Sequence, residues 1–461
     1  MCAIGEQQDV HSNRIRTGNG EFMSESIGQK FNIVSLLRFA LPSIIMMIFM
    51  SLYTIVDGIF ISRYVGSSAL SAANIVYPVV NVLYACGVML ATGGSAIVAK
   101  KLGESKTKEA RNDFTSIVVV GLVISLVFLV VVVCFTGPIS YLLGANDKLL
   151  PDCNKYLFTM ILFAPISMLQ MIFQTFFVTA GRPGLGLGVT VAGGVTNAIL
   201  DYVFMAVLEM DVTGAALATG IGQGIPAIVG VIFFFMKTEN LYFVKCKIHF
   251  RIIGRSCTNG VSEMISNVSA AVVTYMFNII LMRLVGESGV AAITIILYAQ
   301  FLFNALFLGF SMGVAPVISY NYGAKRKKEL DKVTKISVAF VAVTSIIITI
   351  LSIFMRDIVV AVFVEVGTQT YVLAQEAMGI FAISFLFSGF NIFLSSFYTA
   401  LSDGKTSGVI SFSRTFIFII VSLLVLPAII GVKGVWLAVP LAEFISFLLC
   451  LIIKRTKKIR V

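Results

Sequence analysis

The chain has 461 residues, 58% of them hydrophobic and only 12% charged, with a net charge of +11 and a mean hydropathy of +0.97. A soluble domain carries about a quarter charged residues, so this composition excludes one and indicates a polytopic membrane protein. The apolar runs are long and show no strand alternation, so the spans are helices rather than barrel strands.

Residues 1–30 are polar and lack an apolar core, so they are not a signal peptide and read as a disordered cytoplasmic tail. Met23 opens MSESIGQKF and would serve equally well as a start. Twelve spans follow, at 31–62, 69–99, 113–137, 153–180, 185–208, 212–236, 256–284, 289–320, 332–355, 371–400, 408–430 and 434–454. Pro42, Pro78, Pro165, Pro226, Pro316, Pro427 and Pro440 interrupt them, as is usual where helices line a path through the membrane. Residues 237–255 are the longest polar interruption and read as an amphipathic cytoplasmic linker on the bilayer surface. A basic tail, 455–461, closes the chain.

The basic residues orient the bundle. The termini and the loops after even-numbered spans, with nearby Arg38 and Arg414, hold all 34 Lys and Arg residues except Arg63, Lys148, Lys155, Arg283, Arg356 and Lys433. The biased side is cytoplasmic, so a multi-pass protein of the plasma or inner membrane with both termini in the cytoplasm is expected. The runs 100–111 and 325–332 are then ordinary inside loops, and no nucleic-acid partner is expected.

The second half repeats the first at an offset of 220 residues. Arg63, Val65 and Gly66 match Arg283, Val285 and Gly286, and Gly93 and Gly103 match Gly313 and Gly323. Phe173, Phe177, Thr179 and Ala180 match Phe393, Phe397, Thr399 and Ala400. Gly184 and Gly188 match Gly404 and Gly408, and Val212, Gly214, Leu217 and Ala218 match Val432, Gly434, Leu437 and Ala438. Six spans per repeat preserve orientation. The fold expected is therefore an all-α bundle of twelve transmembrane helices in two parallel six-helix lobes, 31–236 and 256–454, related by a pseudo-two-fold axis. Two lobes with a cleft between them suit alternating access, which favours a carrier over a channel or an enzyme.

Membrane acids break this symmetry. Asp57, near the far end of the first span, is replaced by Phe277 in the second repeat, and Asp201 of the fifth span by Val421. Both acids lie at similar depth in the outer half of the membrane, and Asn197 shares a helix face with Asp201. Two such carboxylates cannot both ionise cheaply, so they share a proton or hold a monovalent cation. A Na⁺ would be held by Asp57, Asn197 and Asp201. Glu263 and Glu443 are further membrane acids, and Tyr53, Gln174, Glu263, Asn278, Gln300 and Asn304 are candidates to line the substrate cleft, as are Asn74 and Asn81. The seven cysteines are scattered without a CxxC pair, and the two histidines stand alone. No catalytic set, structural metal site or cofactor motif is present in the sequence.

Several of these residues together resemble the multidrug and toxic compound extrusion (MATE) family. They are Pro42 followed by Asp57-Gly58 and Phe60, the Arg63-x-Val65-Gly66 after it, Asn197 with Leu200-Asp201, and the FFVTAGRP ending of the fourth span. The resemblance covers about 31–454 and is closest to the DinF-like branch. It implies export of bulky, often cationic organic compounds in exchange for H⁺ or Na⁺, with Asp57, Asn197 and Asp201 on the family's N-lobe cation site. One departure is Tyr202, where the family often has proline after Leu-Asp, which leaves the local kink open. A monomer is expected, its partners being small organic substrates and the lipid bilayer. The alternative reading is a flippase for a lipid-linked precursor, which usually has extra spans and an arginine-lined cleft; here only Arg38 and Arg414 fall within spans.

Overall fold

The computed structural model describes residues 27–60, 64–65, 67–237 and 241–457. Most of the N-terminal tail, the last four residues of the C-terminal tail, Arg63 and Gly66 lie outside the described residues. The helices are α1 (Ile33–Phe60), α2 (Ser67–Gly103), α3 (Thr107–Cys134), α4 (Thr136–Leu142), α5 (Leu150–Leu162), α6 (Ala164–Thr179), α7 (Pro183–Asp201) and α8 (Val212–Phe235). They continue as α9 (Phe250–Leu284), α10 (Glu287–Gly323), α11 (Lys327–Phe354), α12 (Arg356–Ala361), α13 (Gln369–Phe381), α14 (Phe385–Ala400), α15 (Gly404–Phe412), α16 (Ile419–Ile430) and α17 (Val432–Thr456). Among the described residues, eleven helical units are long and apolar enough to cross a membrane. The α5–α6 pair, bent by 53°, supplies a twelfth.

Local chemistry sets these boundaries. At the start of α1 the Asn32 Oδ1 accepts from the Ser35 backbone N–H at 2.8 Å, and the Ser35 Oγ accepts from the Asn32 N–H at 2.8 Å. This reciprocal cap satisfies donors that the first turn leaves free. Asp211 caps α8 through the Thr213 N–H at 3.0 Å. The α5–α6 bend falls at Phe163, just before Pro165, whose ring cannot continue the preceding helix. The fifth span changes its winding without proline. Its α-helix stops at Asp201, and Tyr202–Val207 take the wider π winding.

The repeat is visible in the elements themselves. Shifted by 220, Ser67–Gly103 becomes Glu287–Gly323 and Thr107–Cys134 becomes Lys327–Phe354, and the short α4 begins where α12 begins. Inter-lobe contacts follow the same rule. A Cβ on Gly103 would lie 2.9 Å from the Ala324 nitrogen, and one on Gly323 would lie 2.8 Å from the Lys100 carbonyl carbon. Gly93 of α2 meets Gly260 of α9, while Gly313 of α10 meets Ala40 of α1, the residue 220 before Gly260. At each crossing, glycine lets two backbones touch where any side chain would hold them apart.

These crossings lie on the half of the bundle nearer the chain termini, here called the termini face. A hydrophobic cluster that includes Phe31, Phe39, Ala40, Ala99, Phe310, Val314, Val317 and Phe397 seals the two lobes there. Among the described residues no comparable cluster joins the lobes in the opposite half; the N-terminal cluster reaches the other lobe through Ile253 and Cys257 at the start of α9, again at the termini face. The lobes are therefore sealed together at the termini face.

The segment between the lobes packs on the N-terminal lobe. Residues 250–255 are the first turns of α9, and 241–249 run without helix across the N-terminal lobe. Leu241 is buried, and Phe243 stacks on Phe114 at 5.3 Å. The Lys247 N–H donates to Asn112 Oδ1 at 2.8 Å and its carbonyl accepts from Asn112 Nδ2 at 3.0 Å. Residues of the segment thereby satisfy the ends of α3 and α8, while Ile248 and Phe250 stay exposed.

Candidate functional site

Glycines on α7 and α8 bring the site together. A Cβ on Gly193 would lie 2.7 Å from the Gly222 carbonyl oxygen, so α7 and α8 meet backbone to backbone. A Cβ on Gly194 would lie 2.5 Å from Phe49 Cε1, which shows how closely α1 packs on the same helix. The last turns of α1 and α7 thereby place Asp57 and Asp201 side by side, with their carboxyl groups within hydrogen-bonding reach of each other. Asp201 is 0% exposed, and among the described residues neither of its carboxylate oxygens has a hydrogen-bond donor. Oδ1 of the half-buried Asp57 is itself buried and equally without a donor among them. Buried acceptors without donors are costly, more so when ionised. A proton shared between the carboxyls supplies the missing donor, and a monovalent cation supplies the missing positive charge. Either fits the donor set present.

Around the pair stand Tyr53, Tyr77, Tyr84 and Tyr156, all within electrostatic range of Asp57. Asn197, one turn before Asp201, is buried and its Nδ2 donates a long bond to Thr219 Oγ1 at 3.5 Å. Tyr53, Gln170, Asn197, Thr219 and Gln223 line a cavity of about 20 Å³ inside the N-terminal lobe. That is room for about one water molecule. Gln223 anchors its wall, accepting from Ser167 Oγ at 2.5 Å and donating from Nε2 to Tyr84 Oη at 2.8 Å.

The residues singled out in the sequence divide between the lobes. Asp57, Asn197, Asp201 and Tyr53 come together. Gln174 joins this lobe's interior, donating to Thr190 Oγ1 at 3.0 Å. Asn74 is exposed on α2, while Asn81 bridges the lobes by donating to the Asn267 carbonyl at 3.4 Å. Asn278 and Gln300 are half-buried on α9 and α10, and Asn304 accepts from Ser388 Oγ at 3.3 Å inside the C-terminal lobe. Glu443 is buried but paired. Arg414 Nε donates to its two oxygens at 2.8 and 3.0 Å, and Asn391 Nδ2 donates at 2.7 Å. Glu263, on α9, lies within electrostatic range of the same Arg414. Sequence reasoning passed over Tyr77, Tyr84, Tyr156, Gln170, Thr219 and Gln223. Gln223 carried a usable signal, an amide inside the very apolar span 212–236.

Comparison with known proteins bears on the whole chain. The MatE family model matches residues 42–203 and 264–424, one segment in each lobe. The chain is 25% identical over 422 residues to "Multidrug export protein MepA" of Staphylococcus haemolyticus, covering 91% of this chain and 92% of that protein. It is similar in fold to the crystal structure of a MATE protein in complex with MaL6, with a TM-score of 0.88 and 18% identity over 93% of this chain and 96% of the other. An outward-facing multidrug resistance MATE family transporter superposes with a TM-score of 0.85 at 19% identity, over 93% and 96% of the two chains.

Proposed function

The chain belongs to the MATE family, and from that premise we propose that it is a secondary antiporter, exporting bulky organic compounds in exchange for H⁺ or Na⁺. The observation that carries this reading is the Asp57–Asp201 pair: Asp201 is fully buried, and both of its carboxylate oxygens and Oδ1 of Asp57 lack a donor among the described residues, in one lobe of a bundle closed at the termini face. The multidrug export proteins among its relatives support the substrate class. The concentration of basic residues at the termini face supports a cytoplasmic position for that face, with the cleft then open to the exterior of the plasma membrane. The acid pair in the N-terminal lobe, with Glu443 neutralised by Arg414 in the other, supports the DinF-like branch. Both lobes and the acid pair belong to one chain, which supports a monomer.

A cation arriving from outside neutralises the pair and gives its bare oxygens a partner. The packing of α1 on α7 then favours one arrangement of the lobe over another. Coupling is reciprocal, so substrate must favour the arrangement in which the cation has left. Asp57, Asn197 and Asp201 are assigned to the cation, and the drug is assigned to the apolar cleft, where Tyr53, Asn278 and Gln300 are the polar candidates.

The test is substrate affinity and gradient-driven export for the wild type, Asp57→Asn and Asp201→Asn, from about pH 5.5 to about pH 8.5, with and without Na⁺. The wild type should show affinity that depends on pH or Na⁺. Both variants should flatten that dependence and lose export while still binding substrate. Intact export with unchanged linkage in both variants would move the coupling site elsewhere.

A further inference from the structure

At the termini face, the start of α1 and the start of α11 border an open groove of about 710 Å³. One wall comes from each lobe: Asn32, Ile33 and Val34 from α1, and Lys328, Asp331, Lys332, Lys335 and Ile336 from α11. The three lysines stand at i, i+4 and i+7, so they share one helix face. None of the three has an ion-pair partner among the described residues, and Asp331 is the one acid on the groove. Ile33 and Val34 are 60% and 73% exposed. Below them, exposed Leu41 and Ile45 on α1 and Val343 on α11 continue an apolar track along the seam into the membrane.

The related groove in the other repeat behaves differently. Shifted by 220, Asp331, Lys332 and Lys335 become Arg111, Asn112 and Thr115. Those residues hold the inter-lobe segment, Arg111 by Tyr242, Asn112 by Lys247 and Thr115 by Val244. One groove is thus lined to read a peptide backbone. The other is lined with cations at headgroup depth, above an apolar track.

We propose that the α1–α11 groove binds one anionic phospholipid of the termini-side leaflet, its phosphate held by Lys328, Lys332 and Lys335 and its acyl chains lying on Ile33, Val34 and Ile336. Lysines near a membrane surface favour anionic headgroups, and basic pockets between spans select them. Because each wall belongs to a different lobe, the bound lipid ties the lobes together in the arrangement closed at the termini face.

The experiment is native mass spectrometry of the purified full chain with phosphatidylglycerol or phosphatidylcholine, the lipids sharing the same acyl chains. The variants are K328Q/K332Q/K335Q and, as control, K108Q, which changes the lysine equivalent to Lys328 beside the filled groove. The wild type and K108Q should retain phosphatidylglycerol in preference to phosphatidylcholine. The triple variant should bind phosphatidylglycerol roughly a hundredfold more weakly. Equal retention of the two lipids by the wild type, or an unchanged preference in the triple variant, would overturn the proposal. Displacement of the lipid by millimolar glycerol phosphate would also overturn it, since the groove would then serve a soluble phosphate. A preference that emerges only after deletion of residues 1–26 would assign the groove to the chain's own N-terminal segment.

Discussion

Replacing Gly93 with alanine puts a methyl group where α2 crosses α9. The added Cβ would sit 2.5 Å from the Gly260 nitrogen and closer still to the Ser256 carbonyl. Ordinary carbon contacts lie at about 3.5 Å or more, so the helices must part by about 1 Å. Overpacking of this kind costs about 1–3 kcal/mol. The cost falls only on the arrangement in which the lobes touch here, so it appears as a population shift of about 5- to 150-fold toward the opposite arrangement. Spin labels at Lys106 and Lys327, one on each lobe at the termini face, would report the change in a cysteine-free background. A second pair at Lys148 and Thr368 would report the opposite face. Gly93→Ala should lengthen the first distance and shorten the second. Gly254→Ala, on α9 where a Cβ meets nothing within 4 Å, should leave both unchanged. A folded Gly93→Ala protein with wild-type distances at both faces would refute the idea that this contact seals the lobes.

Two further predictions concern stability. Arg414→Ala leaves Glu443 buried without its charge partner and should cost about 3–5 kcal/mol, whereas the double change Arg414→Met with Glu443→Met should cost much less. Thermal unfolding in detergent compares the two, and an equal loss would show that the pair does not act as a unit. Phe243→Ala removes a ring stacked on Phe114 and packed at 4.9 Å against Phe235, and should cost about 1–3 kcal/mol in the same assay. A change near zero would mean that residues 241–249 only tether the lobes.

The spans were legible because long apolar runs and prolines leave few alternatives, and their ends fall within a few residues of the helices. The repeat was legible because its glycines mark backbone crossings, which tolerate nothing larger. Asp57 and Asp201 stood out because acids in apolar spans are rare. What escaped was partnership across helices. Glu443 reads as an unpaired acid until α15–α17 bring Arg414 to it, some thirty residues away in the chain. Gln174 reads as a cleft residue, yet helix rotation turns it into the lobe toward Thr190. The inter-lobe segment is similar, since the packing of Tyr242 on Arg111 and of Phe243 on Phe114 is not visible in its own sequence. The π winding after Asp201 has no proline to announce it, and a π turn leaves no single-residue mark.

Gln223 and Glu443 occupy equivalent places in the two repeats. Around Gln223 the bonds are neutral, to Ser167 and Tyr84, and a hydroxyl can turn to a new partner without stranding a charge. Around Glu443 an ion pair cross-braces three helical segments, and opening it would isolate a carboxylate in the membrane. On the proposed coupling, the two lobes therefore divide the labour. The N-terminal lobe can re-pair its bonds one at a time as the cation comes and goes, while the C-terminal lobe serves as the stiff frame against which that change is exerted.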